Sequence, residues 1–132
     1  MSGVEPSLHR VFVYGTLRQG GSNHFRMAGS RLVSAGRVKG RLYRIDWYPG
    51  LIIDPEAGDV IGEVYEVTAE LLRELDVFEG ISAGEIEGCE YRRSRTDVTH
   101  GDSTTHAWAW EWVGPFRETD RIPDGDWLKV IP

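Results

Sequence analysis

Asp76 and Glu79 close the apolar-periodic run Leu71-Leu72-Arg73-Glu74-Leu75-Asp76-Val77-Phe78-Glu79-Gly80. The spacing predicts a helix with Thr68 as N-cap, Leu71, Leu72, Leu75 and Phe78 on the buried side, and Gly80 as terminator. The last-turn carbonyls of a helix carry partial negative charge, so both carboxylates are misplaced there and their protonated forms are favoured. Glu79 lies one turn beyond Leu75 and points toward the core, where desolvation acts in the same direction. A carboxyl tuned upward can take and return a proton near neutrality, which is general acid/base chemistry. The competing reading is an ordinary solvated acid at a helix end.

A second candidate is the segment Arg10-Val11-Phe12-Val13-Tyr14-Gly15-Thr16-Leu17-Arg18-Gln19-Gly20-Gly21-Ser22-Asn23-His24. Its β-branched and aromatic start reads as a buried strand that delivers Tyr14 to its end. Gly15 then lets backbone N–H groups approach a ligand closely, so a small anion could dock on the loop. A plain flexible turn fits the glycines equally well. His24 reads as local structure.

These pieces occur in an order that resembles the gamma-glutamylcyclotransferase-like superfamily. The residues are Tyr14-Gly15-Thr16-Leu17 after a strand, Tyr48-Pro49-Gly50-Leu51, Gly62-Glu63-Val64-Tyr65, Leu75-Asp76-x-x-Glu79-Gly80, Tyr91-x-Arg93 and a late Gly125-Asp126-Trp127. The likeness is greatest to the gamma-glutamylamine cyclotransferase branch. It implies a small α+β barrel in which Glu79 is the acid/base and Tyr14, Gly15, Thr16 and Leu17 cradle the gamma-glutamyl group. The implied substrate is a small gamma-glutamyl amine or amide, cleaved to 5-oxoproline and an amine without metal or organic cofactor. A binding or interaction module on the same barrel, without turnover, is the rival. Two readings of Tyr91 and Arg93 stay open: cavity residues that bind substrate, or strand residues satisfied by acidic neighbours. Whether the loop after Tyr14 holds a carboxylate or an oxyanion is open too.

The elements that must position these residues are mostly strands, expected near 10–14, 35–45, 51–53, 60–67, 89–98 and 104–113. Asn23 to Ala28 reads as a helical turn, and Asp54 to Asp59 as a hairpin loop. One main helix among strands, without βαβ alternation, predicts an α+β, mixed and partly closed β-barrel with the helix beside it. Residues 1–9 read as a short leader, and 10–132 as a single domain. His106, Trp108, Trp110 and Trp112 share one face of the last strand, a pattern that fits sheet packing better than base stacking. The Gly80 to Glu90 connection is longer than the resemblance leads one to expect. Rich in Gly and Glu, it is expected to be mobile and to disfavour anionic leaving groups.

Composition removes several classes. A chain of 132 residues suits one compact domain, and a net charge of −6 offers no basic field for nucleic acid. The run Arg92-Arg93-x-Arg95 alternates across a strand, with one inward arginine. His9, His24, His100, His106 and the single Cys89 lack metal-ligand spacing, and no Gly-x-Ser-x-Gly or Gly-Lys-Ser/Thr element is present. No apolar run reaches the roughly 20 residues of a membrane helix, and the first residues lack a secretory pattern. The expectation is a cytoplasmic monomer or weak homo-oligomer.

Overall fold

The computed structural model describes residues 8–82 and 85–130. Its elements are β1 (Leu8–Val13), β2 (Arg31–Arg44), β3 (Pro49–Ile53), β4 (Asp59–Thr68), α1 (Ala69–Phe78), β5 (Tyr91–His100) and β6 (Ser103–Trp112). Short 3-10 turns lie at His24–Met27, Glu118–Asp120 and Trp127–Lys129.

Sheet neighbours follow the order β1-β4-β2-β3-β6-β5, and further pairings join β1 to β6 and β2 to β5. These pairings close a ring of β1, β4, β2, β5 and β6, with β3 lying between β2 and β6. β6 runs parallel to β1 and to β3 and antiparallel to β5, so the sheet is mixed. The ring closes more fully than the partly closed barrel expected from the sequence.

Two expectations change. β1 starts at Leu8 and pairs Leu8 with Thr68 and His9 with Val67, so the last two residues of the expected leader are strand; residues 1–7 lie outside the described residues. The Asp54 to Asp59 turn is not a hairpin, because β3 and β4 pair with β2 on its opposite edges. Asp54 N donates to Lys39 O (3.1 Å), while Gly58 O accepts from Gly40 N (3.0 Å). The carbonyl and N–H of that single peptide point in opposite directions, so the turn carries the chain across β2. A hairpin pattern judges two flanking runs, and here a long third strand takes both as partners.

The second half of β1, Val11 to Val13, is buried on both faces, which explains its unbroken apolar run. Val11 and Val13 pack with Leu71, Leu72 and Leu75 of α1. Phe12 and Tyr14 pack inside the barrel with Val38, Leu42, Leu51, Val64, Val98 and Ala109, joined by Ile122 and Trp127 from the C-terminal segment. The tryptophan face of β6 is packing surface, as expected: Trp110 and Trp112 are buried on the helix side, and Trp108 lies under the guanidinium groups of Arg93 and Arg95. His106 is exposed and meets Asp97 at 2.7 Å.

Helix α1 begins as its sequence dictates, with Thr68 Oγ1 accepting from Leu71 N at 3.1 Å. It ends at Gly80, whose φ of +83° lies in the left-handed region that favours glycine, and no basic residue occupies its last turn. Phe78 is only partly buried, whereas Asp76 is buried outright. Ile81, at 1 % exposure, anchors the start of the following connection in the core. The other end is tied by Gly88 N to Tyr91 O (2.8 Å) and Arg93 N to Ile86 O (2.7 Å). The expected mobile loop is therefore pinned at both ends; its residues 83 and 84 lie outside the described residues. No helix among the described residues is long and apolar enough to cross a membrane.

Candidate active site

A cavity of about 210 Å³ opens between the end of α1 and the loop that follows β1. Tyr14, Gly15, Thr16 and Leu17 form one wall, Phe78, Glu79 and Gly80 another, and Tyr48, Pro49, Glu90 and Tyr91 complete it with Trp47 at the mouth. The sequence-derived residues Tyr14, Gly15, Thr16, Leu17, Glu79 and Tyr91 thus share one space. Arg93 does not line it.

The loop after β1 is shaped by close approach. A Cβ on Gly15 would stand 2.7 Å from Pro49 Cγ, and one on Gly21 would stand 2.3 Å from Thr16 O. Asn23 N donates to Thr16 O (2.9 Å), and His24 Nδ1 donates to Leu17 O (2.9 Å). The carbonyls thus turn inward to their own loop. Among the described residues no acceptor meets the backbone N–H of Gly15, Thr16 or Leu17. Such a set of neighbouring free N–H groups is suited to an anion.

A buried network not foreseen from the sequence fixes this loop. Arg18 Nε donates to Glu63 Oε2 (2.7 Å) and Nη1 to Asp126 Oδ1 (2.8 Å), with the arginine only 8 % exposed. Glu63 Oε1 accepts from Gln19 N (2.8 Å) and from the Tyr65 hydroxyl (3.3 Å). Next to Asp126, Gly125 packs so tightly that an added Cβ would lie 2.0 Å from Asp59 O. The sequence signals were Gly62-Glu63-Val64-Tyr65 and the late Gly125-Asp126-Trp127, and neither carried a hint of the arginine that joins them.

The tyrosines have structural duties. Tyr14 donates to Trp110 O (2.6 Å) and accepts from Leu51 N (3.1 Å), and Tyr91 donates to Pro49 O (2.6 Å). Burial, above all, raises the proton affinity of both phenols well beyond the usual range, so neither is a source of protons near neutrality. Of the two readings of Tyr91, its ring lines the cavity while its hydroxyl serves the wall. For Arg93 the acidic neighbour wins: Nε donates to both Asp76 oxygens at 3.0 and 3.1 Å.

Glu79 is different. Among the described residues no donor reaches its carboxylate, which borders the cavity beside Asp76 and Glu90. Desolvation first, then the charges of Asp76 and Glu90, push its pKa from 4.5 up to about 8. A carboxyl in that range can exchange protons near neutrality. Glu90, at the mouth, accepts from the Tyr48 hydroxyl at 3.1 Å. Among the described residues no three His, Cys, Asp or Glu side chains gather into a metal site.

Comparison with known proteins meets this geometry from the other side. The family described as gamma-glutamyl cyclotransferase, AIG2-like, matches residues 11–129. A Vibrio cholerae protein is 36 % identical over 129 residues, covering 93 % of this chain and 98 % of that one. Gamma-L-glutamyl-butirosin B gamma-glutamyl cyclotransferase of Niallia circulans is 41 % identical over 71 residues, 52 % of this chain and 44 % of that one. The crystal structure of YkqA from Bacillus subtilis superposes with a TM-score of 0.72 at 28 % identity, over 93 % of this chain and 40 % of that one. The chain belongs to the AIG2-like gamma-glutamyl cyclotransferases, a family of cyclotransferase enzymes.

Proposed function

We propose that the protein cyclises the gamma-glutamyl group of a small gamma-glutamyl amine, releasing 5-oxoproline and the amine, with Glu79 as general acid/base. The observation that carries this reading is a carboxyl that meets no donor among the described residues, in a cavity lined also by Gly15, Thr16 and Leu17, whose backbone N–H groups meet no acceptor among the described residues.

In this reaction the substrate's α-nitrogen attacks its own γ-carbonyl carbon, so the protein supplies no nucleophile. Its tasks are to fold the substrate, move protons and hold the oxyanion. Free Glu79 is mostly protonated at neutral pH, and an arriving ammonium favours its charged form, so the carboxyl sheds its proton as substrate binds. Glu79 then takes a proton from the ammonium, the new C–N bond forms, and the oxyanion or the α-carboxylate rests on the N–H groups of Gly15 to Leu17. As the old C–N bond breaks, Glu79 returns the proton to the departing nitrogen. The second proton of the ring nitrogen follows by the same route. Both protons therefore end on the leaving group, which departs as an ammonium.

Glu90 at the mouth favours a leaving group that is neutral or cationic over one bearing a carboxylate. The Niallia circulans relative, named for gamma-L-glutamyl-butirosin B, supports a gamma-glutamyl conjugate as the substrate class. The deciding measurement is 5-oxoproline release across gamma-glutamyl amino acids, gamma-glutamyl-ε-lysine and gamma-glutamyl diamines. Turnover of the amine substrates is expected, with kcat/KM rising as pH climbs toward about 8, where Glu79 ionises. Tight binding of these compounds without product would reassign the protein as a binding module.

A further inference from the structure

Beneath Glu79 lies an ion pair for which the reaction has no direct use. Asp76, 6 % exposed, accepts from Arg93 Nε at 3.0 Å and from Trp110 Nε1 at 2.9 Å, both on Oδ1. The Arg93 guanidinium lies over Trp108, with Cζ 4.4 Å from the ring centroid. Its backbone N–H ties the 80–90 connection down at Ile86 O (2.7 Å), and Asp76 O accepts from Ile81 N (2.8 Å). The pair thus binds β5, β6 and the last turn of α1 at the point where the chain leaves for the cavity wall. Asp76 and Glu79 are spaced i, i+3, neighbours on one helix face.

We propose that the Asp76–Arg93 pair is a positioning element for Glu79: Asp76 fixes the helix end that carries Glu79 and supplies negative charge beside it, and Arg93 governs how much of that charge Glu79 feels. This rests on Glu79 being the acid/base group. A bare buried aspartate would be costly and would hold Glu79 protonated too strongly to shed its proton; a pair in balance leaves a moderate field. The remaining groups that face Glu79 are Glu90 and Tyr91 at the start of β5, Tyr14 at the end of β1 and Tyr48 from the β2–β3 connection. All three phenols are neutral, and Glu90 is exposed. The Asp76–Arg93 pair is accordingly the buried charge that a substitution can change in both directions.

The test is direct titration of the Glu79 side-chain carbon by ¹³C NMR in the full chain, which needs no turnover, beside the pH profile of 5-oxoproline release. Asp76→Asn keeps an acceptor for Trp110 and leaves Arg93 uncompensated, so the Glu79 midpoint should fall by about one pH unit. Arg93→Gln exposes the aspartate charge and should raise the midpoint by a comparable amount. Arg93→Lys retains the charge and should leave the midpoint near that of the parent chain even where melting temperature drops. If Asp76→Asn fails to fold, the two Arg93 variants decide. Midpoints that stay put, or move in the same direction for Asp76→Asn and Arg93→Gln, overturn the proposal. Opposite shifts in a chain that releases no 5-oxoproline would uphold the charge coupling and defeat the cyclotransferase reading instead.

Discussion

Glu63, which holds the loop after β1, and Glu79, which lines the cavity, differ in the company each keeps. Glu63 is 8 % exposed and meets Arg18, the Gln19 N–H and the Tyr65 hydroxyl. Glu79 borders an open cavity, feels the negative charge of Asp76 and Glu90, and among the described residues its carboxylate receives no hydrogen bond. A carboxylate whose oxygens are taken up by donors is tied to its surroundings and can only hold; one without donors among like charges is free to exchange a proton. One residue type therefore builds the loop wall, and on the opposite wall it is left free for chemistry. The difference arises from partners that the loop after β1 and Tyr65 of β4 supply to Glu63 and not to Glu79.

The largest way to break this contrast is Glu79→Gln, which keeps shape and removes proton exchange. Turnover should fall by about 10²–10⁴, with substrate binding nearly unchanged in an equilibrium titration. Stability should move the other way. The folded-state pKa of about 8 lies above the ordinary 4.5, so the folded chain binds the extra proton between those values. That contribution is fully present below about 4.5 and is lost as pH rises through about 8. The variant should consequently melt above the parent chain at pH 8, with the gap closing toward pH 4.5. A loss of melting temperature at pH 8 would show that Glu79 is held by partners after all.

Arg18→Met attacks the opposite wall. Removing one member of a buried pair strands Glu63 and Asp126 and should cost about 3–5 kcal/mol in denaturant unfolding. Most of that penalty is the orphaned charge, so adding Glu63→Gln should recover part of it; strict additivity of the two losses would contradict the coupling. Gly15→Ala is milder. Its Cβ would meet Pro49 Cγ at 2.7 Å, overpacking that costs about 1–3 kcal/mol and displaces the free N–H groups, seen as a raised KM.

How much of this could be read from the chain depends on the range of each interaction. The end of α1 was legible because Thr68, the leucines, Glu79 and Gly80 speak to one another within a few residues, and capping and periodicity are local effects. Strand existence was legible for the same reason. The role of Arg93 was not, since a strand arginine reads alike whether it faces substrate or a buried acid, and Asp76 was taken for a second misplaced helix-end carboxylate. Arg18 was silent as well: its partners Glu63 and Asp126 lie 45 and 108 residues away. The crossing of β2 by the Asp54 to Gly58 turn escaped because turn chemistry states that a chain reverses or bends, and says nothing about which strand it then meets.

The finest test of the contrast concerns Glu90, the carboxylate at the cavity mouth. Among the described residues it shares with Glu79 the lack of a cationic partner, yet it is exposed and its carboxylate accepts from the Tyr48 hydroxyl at 3.1 Å. In water a charge so placed acts chiefly through the field at the entrance. Glu90→Gln should lower kcat/KM for gamma-glutamyl diamines by a few-fold, leave neutral amines little changed, and relieve part of the bias against leaving groups that bear a carboxylate. The same substitution removes a like charge from Glu79, so the acid limb of its pH profile should shift downward. Screening separates the two effects. At 1 M salt the Debye length is about 3 Å, enough to erase the leaving-group preference at the exposed mouth, while the half-buried Glu79 is screened far less. A preference for cationic leaving groups that survives both Glu90→Gln and high salt would place selectivity on the aromatic rings of Trp47 and Tyr48, and would make Glu90 another surface acid.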